Sequence, residues 1–209
     1  YIMLNELLKR YPCLESTKED ILKTENALIT AFKNGNKLLM CGNGGSCADC
    51  EHIAGELMKG FLSKRPLSEE QKAEMKANCP EIEEKYLSLL QRAVPAIALP
   101  SFTALNTAFC NDVEPELVFA QCLMGLGKKD DVLLCISTSG NSKNVVAAAL
   151  TAKALGIKTI GLTGKTGGKL KRICDICICV PETETFKVQE LHLPVYHYLC
   201  AKIEKLIFK

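Results

Sequence analysis

The chain has 209 residues, of which 47% are apolar and 24% charged, and its formal net charge is +2. This length and apolar content suit a single domain, and the near-neutral charge gives no reason to expect a nucleic-acid or membrane-surface partner. The chain has no apolar run as long as a bilayer span, and its first residues lack the basic-then-apolar order of a signal peptide. We therefore expect a cytoplasmic protein.

The first 35 residues predict a helical extension of one domain that spans 1–209. Residues 2–11 suit a short helix, and 14–35 suit a longer amphipathic one because apolar residues recur there at helical spacing. Ser16 with Glu19 fits a capping box at the start of the longer helix, and Gly35 is a plausible stop.

Strand-like and helix-like segments alternate along the remainder of the chain. Continuous apolar strands separated by helices predict an α/β fold with a doubly wound, parallel, five-stranded sheet flanked by helices. Residues 62–93 break this rhythm with many charges, including Lys64 and Arg65, and we expect an exposed, partly helical excursion there. The predicted strands are 37–41, 96–99, 132–136, 158–162 and 176–180, and the predicted helices are 46–60, 115–125, 142–155 and 186–207.

Twelve cysteines are unusual for such a chain. Disulfide frameworks belong mainly to small secreted proteins that lack a sufficient core, whereas a thiol within an apolar segment acts as a small hydrophobe. We expect free thiols that are dispensable for activity. The spacings Cys47-x-x-Cys50 and Cys174-x-x-Cys177 leave a structural zinc site as an alternative.

A glycine-rich loop follows the first predicted strand and precedes a helix, with the sequence Gly42-Asn43-Gly44-Gly45-Ser46. Glycines let the backbone approach an anion, and a helix N-terminus presents free N–H groups. A dinucleotide site would need a third glycine where Cys47 stands and an acidic residue at the end of the second strand, so the pattern argues against NAD.

A second loop follows the third strand, again at the start of a helix, and reads Ser137-Thr138-Ser139-Gly140-Asn141-Ser142. Its hydroxyls can donate to phosphate oxygens beside backbone amides. The alternative is that Ser142 or Asn141 only caps the helix. Because a cap needs one residue, the surplus of hydroxyls favours a phosphate ligand.

Two pairs of polar residues occupy helical spacings that place each pair on one face. His52 and Glu56 are four residues apart on the helix after the first loop, and Gln189 and His197 are eight apart on the last helix. His192 lies between the second pair, and we weigh a structural role for it equally with a functional one.

Together with Val188-Gln189-Glu190-Leu191-His192, the two loops resemble the phosphoheptose isomerases (sedoheptulose-7-phosphate isomerases) of the SIS-domain family, over nearly the whole chain. The resemblance implies a homotetramer that isomerises sedoheptulose 7-phosphate or a similar ketose phosphate through an enediol, at sites between subunits. Replication-initiator-associating SIS proteins are also similar and bind without known catalysis. A non-catalytic phosphosugar-binding regulator or partner-binding protein is therefore the alternative function.

The resemblance also implies roles for individual residues. Glu56 and His197 match the acid/base pair, whereas Lys59-Gly60 stands where members usually carry Gly-Arg, and lysine does not replace a bidentate arginine equivalently. The positions that match zinc ligands of some members are His52, Glu56, Gln189 and His197. The positions that match substrate-binding residues are Asn43, Gly44, Ser46, Asp112, Ser137, Thr138, Ser139, Ser142 and Gln189.

Overall fold

The computed structural model describes residues 2–208; Tyr1 and Lys209 lie outside the described part. The strands are β1 (Leu38–Cys41), β2 (Ala96–Ala98), β3 (Val132–Ser137), β4 (Lys158–Thr163) and β5 (Ile176–Cys179). The helices are α1 (Ile2–Arg10), α2 (Lys18–Lys33), α3 (Gly45–Met58), α4 (Glu69–Asn78), α5 (Glu84–Leu89), α6 (Thr103–Asp112), α7 (Val118–Leu126), α8 (Lys143–Ala154), α9 (Leu170–Ile173) and α10 (Thr185–Ile207).

The five strands form one sheet in the order β2-β1-β3-β4-β5, and every neighbouring pair is parallel. Leu38 and Met40 of β1 belong to a core shared with α1, α2, α3 and α10, whereas Leu39 and Cys41 belong to a core shared with α7 and α8. Because helices cover both faces, the strands read as continuous apolar runs. The predicted doubly wound α/β sheet is confirmed.

The predicted start of the second helix is wrong. Residues Pro12–Thr17 form a 3-10 turn, and α2 begins at Lys18 without a side-chain cap. The Thr17 hydroxyl donates to the Leu14 carbonyl at 2.7 Å, so the polar side chain next to the helix start is used inside the preceding turn. The predicted box of Ser16 with Glu19 therefore does not form.

Two helices were not predicted, the short α9 and the longer α6. Residues Thr103–Asp112 form α6 directly after the 3-10 turn Leu99–Ser101, and none of the α6 residues is buried in this chain. The helix predicted over 115–125 begins three residues later, because Pro115–Leu117 form another 3-10 turn that leads into α7.

Two further expectations were that the cysteines are free thiols and that no segment is long and apolar enough to span a bilayer. All twelve cysteines are free thiols, five of them buried: Cys41, Cys50, Cys122, Cys135 and Cys200. Among residues 2–208, no helix combines the length and the apolar character that crossing a bilayer requires.

The excursion over 62–93 contains α4 and α5, and its base is closed by a bridge between Pro66 and Gln91. It is exposed along most of its length, as predicted, but Arg65 is a clear exception because its exposed fraction is 0%. Nothing in the sequence distinguishes Arg65 from the other charged residues of this stretch, so its burial could not be predicted.

Arg65 can be buried because each nitrogen of its guanidinium group donates a hydrogen bond. Its Nε donates to Glu204 Oε1 at 2.7 Å, its Nη1 to the Leu57 carbonyl at 2.6 Å, and its Nη2 to the Glu56 carbonyl at 2.9 Å. These carbonyls belong to the last turn of α3, where backbone acceptors have no partner within the helix. Arg65 therefore caps α3 and links it to α10.

Glu204 completes this arrangement from α10. Its carboxylate accepts the backbone N–H groups of Phe61, Leu62 and Ser63 at 2.8–3.0 Å. Burial alone would raise the pKa of Glu204, but the Phe61 N–H and the Arg65 guanidinium outweigh burial and lower the pKa from its ordinary value. The carboxylate is thus stabilised in its charged form.

We expect Glu204→Gln to lower the free energy of unfolding by about 3 kcal/mol at neutral pH, because it leaves the Arg65 charge buried without a counter-ion. The lowered pKa means that this contribution is present above the ordinary pKa of 4.5 and is lost as the pH falls through the folded-state pKa. Urea unfolding at several pH values measures both effects. Glu69→Gln, which breaks the exposed ion pair with Lys72, should change little; an equal change in both variants would contradict the prediction.

Candidate functional site

The strand order places the two predicted ligand loops side by side. The chain leaves β1 towards β2 on one side and later returns to β3 on the other, so β1 and β3 are paired at the point where the winding reverses. Ligands bind at the carboxyl ends of strands at such a switch point. The loops 42–46 and 137–142 both begin at those ends.

A cavity of about 290 Å³ opens between the two loops and the start of α10. It combines backbone from the glycine-rich loop with hydroxyl and amide side chains, which is a donor-rich surface suited to an anion. The lining residues are Asn43, Gly44, Gly45, Ser46, Ile136, Ser137, Thr138, Ser142, Thr185 and Gln189.

The hydroxyls of the second loop divide into two groups. Ser142 stands at the N-cap of α8, but its side chain makes no capping hydrogen bond and instead meets the Ser137 hydroxyl at 3.0 Å. The Ser139 hydroxyl accepts the Asn141 N–H at 3.1 Å and does not line the cavity. The capping explanation of Ser142 is therefore not supported, whereas Ser139 has a role within the loop itself.

Gln189 is pressed against the first loop. A Cβ at position 45 would lie 2.3 Å from Gln189 Nε2, so the Gln189 amide holds this position from α10 because residue 45 is glycine. Gly44, immediately before, has a φ of 55° in the left-handed region that glycine adopts readily. Across the cavity mouth, Asn43 and Asn144 exchange two hydrogen bonds of 2.9 and 3.0 Å and join the first loop to α8.

Further along the same two helices, α3 and α10 bring His52, Glu56 and His197 together within one chain. His52 Nε2 lies 3.3 Å from Glu56 Oε1 and 3.5 Å from His197 Nε2. The side chain of Glu56 is only 15% exposed, and its Oε2 is buried without a hydrogen-bond partner among the described residues. The geometry thus leaves one carboxylate oxygen free to accept a proton or a donor.

Burial lowers the pKa of His197, and the neighbouring His52 lowers it further, although Glu56 opposes both. The neutral imidazole is therefore favoured over the charged one. A neutral ring nitrogen can accept a proton or bind a cation, which suits His197 as a base or as a zinc ligand.

Two contributors to this cluster were not identified from the sequence. Tyr196 is 2% exposed, and its hydroxyl oxygen lies 3.1 Å from His52 Nδ1 and 3.2 Å from Asp49 Oδ1. Burial, opposed by the Tyr196 hydrogen bond, raises the pKa of Asp49. The helical spacing of Asp49, three residues before His52, was the one available sequence signal.

The predicted zinc ligands meet only part of what a metal centre needs. A tetrahedral ion with bonds of about 2.0–2.1 Å separates its ligand atoms by about 3.4 Å, and His52 lies at that spacing from both Glu56 and His197. However, among residues 2–208 no group of three or more His, Cys, Asp or Glu side chains is arranged to hold a metal ion. The fourth predicted ligand, Gln189, lies in the cavity between the two loops, against Gly45. Zinc stays a prediction, and we derive no chemical step through it.

The remaining predicted residues lie elsewhere. Asp112 ends α6, is exposed, accepts the Asn111 amide at 2.9 Å and does not line the cavity of this chain. His192 is fully buried within α10, and burial lowers its pKa to about 4, which the Thr163 backbone only partly offsets. His192 therefore occupies a structural position, whereas the substrate-binding role of Asp112 stays a prediction.

Comparison with family models gives two matches that together span most of the chain. Both models are described as SIS domain, and they match residues 4–98 and 101–200.

Several curated proteins are similar along almost their whole length. The phosphoheptose isomerase of a Nitratiruptor species is 41% identical over 204 residues, covering 96% of this chain and 95% of that protein. The phosphoheptose isomerase of Aneurinibacillus thermoaerophilus is 38% identical over 204 residues, covering 93% and 90%. Among solved structures, the phosphoheptose isomerase of Neisseria gonorrhoeae has a TM-score of 0.75 at 29% identity, covering 96% of this chain and 94% of its own.

We expect Ser137→Ala and Ser142→Ala each to weaken the binding of inorganic phosphate about tenfold or more, because each removes a hydroxyl at the cavity, and a hydrogen bond to a charged group contributes about 1.5–3 kcal/mol. Isothermal titration calorimetry measures the affinity, with the distant Ser88→Ala as a control. Ser139→Ala tests whether Ser139 also contacts the anion. Unchanged affinity in both cavity variants would contradict this assignment.

Proposed function

Because this chain belongs to the phosphoheptose isomerase family of SIS-domain proteins, and is a sugar-phosphate isomerase, we propose that it converts sedoheptulose 7-phosphate, or a ketose phosphate of similar length, into the corresponding aldose phosphate. The observation that carries this proposal is the placement of a donor-rich cavity and an acid–base cluster on the same two helices. One end suits a phosphate group, and the other suits proton transfer at carbon.

The spacing of the two ends supports a long substrate. From Ser46 to His52 the axis of α3 rises about 9 Å, and from Gln189 to His197 the axis of α10 rises about 12 Å. A triose phosphate is too short to join positions so far apart. An extended sugar of six to eight carbons can hold its phosphate at the serine loop and present its carbonyl end to Glu56 and His197.

The proposed chemistry is a proton transfer between adjacent carbons. Glu56, with an unpartnered buried oxygen, takes the proton from C1 of the ketose. The electron pair forms an enediol across C1 and C2, and the same carboxyl group returns the proton to C2. His197, which burial keeps neutral, moves the proton between the two substrate oxygens.

We expect Glu56→Gln to lower the turnover of sedoheptulose 7-phosphate by roughly two to four orders of magnitude while substrate affinity is retained, because the amide keeps the shape and loses the base. NMR detection of solvent deuterium entering the carbon skeleton measures the transfer directly. A first screen of C6–C8 ketose phosphates identifies the best substrate.

Glu51→Gln is the matched control, since Glu51 lies on the same helix but is exposed and accepts the Ser101 hydroxyl. Near-normal turnover in Glu56→Gln would contradict the mechanism. A parent protein that binds these sugar phosphates without isomerising any would instead support a phosphosugar-binding regulator.

We also propose a homo-oligomer, with a tetramer as the expected state. Helix α6 buries none of its residues in the single chain, and large apolar side chains on and after α6 are exposed, as a surface awaiting a second copy would be. These side chains are Leu105, Val113, Leu117 and Met124. Sedimentation at micromolar concentration should give a multiple of 22.9 kDa, and a single-chain mass alone would contradict the proposal.

A further inference from the structure

A third loop packs against the hydroxyl-rich loop that borders the cavity. We call residues 164–169 the support loop and residues 137–142 the serine loop. They are neighbours because β3 and β4 are paired in parallel, with Ser137 opposite Thr163, so both chains leave the sheet at the same edge. The cavity is lined by residues of the serine loop and by none of 164–169, all of which the structure describes. Any effect of the support loop on a bound anion therefore passes through the serine loop.

Backbone hydrogen bonds hold the serine loop on the support loop. The Gly164 N–H donates to the Thr138 carbonyl at 2.9 Å, and the Leu170 N–H, immediately after the support loop, donates to the Gly140 carbonyl at 3.1 Å. The accepting carbonyls belong to the middle of the serine loop. This segment connects the two hydroxyl groups that meet at 3.0 Å in the cavity, so its position determines where they lie.

The Asn141 side chain ties the two loops together. Its Oδ1 accepts the Lys169 N–H at 3.0 Å, and its Nδ2 donates to the Ser139 carbonyl at 3.0 Å. A backbone N–H can only donate and a carbonyl can only accept, so these two partners fix the orientation of the amide. The Asn141 side chain is thus engaged between the loops and not at the start of α8.

Glycine at the contact lets the two backbones touch. A Cβ at position 168 would overlap the Ser139 carbonyl oxygen, and a Cβ at position 140 would overlap the Gly167 carbonyl oxygen. Both overlaps are with backbone atoms, which cannot rotate away as the end of a side chain can. A side chain at position 168 would therefore push the serine loop off the support loop.

We propose that Asn141 and Gly168 are positioning residues that hold the serine loop where the Ser137 and Ser142 hydroxyls can bind the phosphate group of the substrate. This inference deepens the proposed function and rests on it for the identity of the anion. Neither Asn141 nor Gly168 lines the cavity, so both act through the backbone of residues 138–140. A loop that is already held in place costs less to order when the anion binds.

Asn141→Ala removes the side-chain bonds and leaves the backbone bonds in place. We expect isothermal titration calorimetry with inorganic phosphate to show an affinity about 3–10-fold lower, the range that the loss of one ordinary hydrogen bond gives. Asn36→Ala is the matched control, because the Asn36 amide also joins two distant segments, by donating to the Lys129 carbonyl at 3.4 Å, but before β1 at the opposite edge of the sheet. Its phosphate affinity should equal that of the parent protein.

Gly168→Ala displaces the serine loop directly. Gly35→Ala is its control, because Gly35 has a φ of 78° and Gly168 a φ of 52°, but a Cβ at position 35 meets no described atom within 4 Å. Both variants force alanine into left-handed backbone, so urea unfolding should show a similar loss of stability. Only Gly168→Ala should also lose phosphate affinity, about tenfold or more, because the cavity hydroxyls no longer meet the anion.

Hydrogen exchange of the backbone amides of 137–142, measured by mass spectrometry, reports on the serine loop without any ligand. We expect faster exchange there in Asn141→Ala and Gly168→Ala, because exchange follows the free energy of local opening. Asn36→Ala and Gly35→Ala should exchange like the parent protein in this segment.

Steady-state kinetics separate positioning from a general loss of structure. We expect Asn141→Ala to raise KM for the best ketose phosphate about 3–10-fold with kcat nearly unchanged, because the phosphate end is loosened while the proton-transfer end is untouched. Parent-like phosphate affinity in Asn141→Ala or in Gly168→Ala overturns the proposal. So does a loss of affinity in Gly35→Ala as large as that in Gly168→Ala. If the parent protein binds neither phosphate nor a sugar phosphate, the proposed function fails, and the exchange rates still decide whether the support loop holds the serine loop.

Discussion

The packing of α3 against α10 is the contact on which the candidate site depends. Each helix contributes to both ends of the site: Ser46 and Gln189 line the cavity between the loops, while Glu56 and His197 belong to the proposed acid–base cluster. A shift of one helix along the other would separate both pairs together. The buried Arg65–Glu204 ion pair links these two helices. The relative position of α3 and α10 is thus stabilised by two charged residues that lie outside the site.

The two ends of the site rely on different physical properties. At the cavity, backbone groups and hydroxyls supply donors that carry no titratable charge, so the surface there changes little with pH. At the cluster, a buried carboxylate oxygen of Glu56 and the imidazole of His197, whose pKa burial lowers, provide groups that can exchange protons. Anchoring a charged group at one end and moving protons at the other therefore place no conflicting demands on the same residues.

Local patterns in the sequence were sufficient for the sheet and for the loops. Apolar runs bounded by glycine and proline located all five strands, and the hydroxyl surplus of 137–142 identified a loop whose Ser137 and Ser142 line the cavity. The substrate contacts themselves are still predictions. The start of α2 was misjudged because the Thr17 hydroxyl bonds backwards within a 3-10 turn, an option that a capping pattern does not reveal.

Contacts between residues that are far apart in the chain could not be predicted from the sequence. The partners Arg65 and Glu204 are 139 positions apart, and Tyr196 reaches Asp49 across 147. Charge alone made Arg65 look exposed, because only the folded chain brings the α3 carbonyls and the α10 carboxylate around it. The burial of a charged side chain is decided by its partners, which a single sequence does not place.

The closed base of the charged excursion has a consequence for how this chain can vary. Its ends are joined by the Pro66–Gln91 bridge and by the Arg92 N–H, which donates to the Arg65 carbonyl at 2.6 Å. Once two ends are clamped, doubling the length of a flexible segment between them costs only about 0.6 kcal/mol. Residues can therefore be inserted or removed between the clamped ends at little cost while α3 and α10 keep their register.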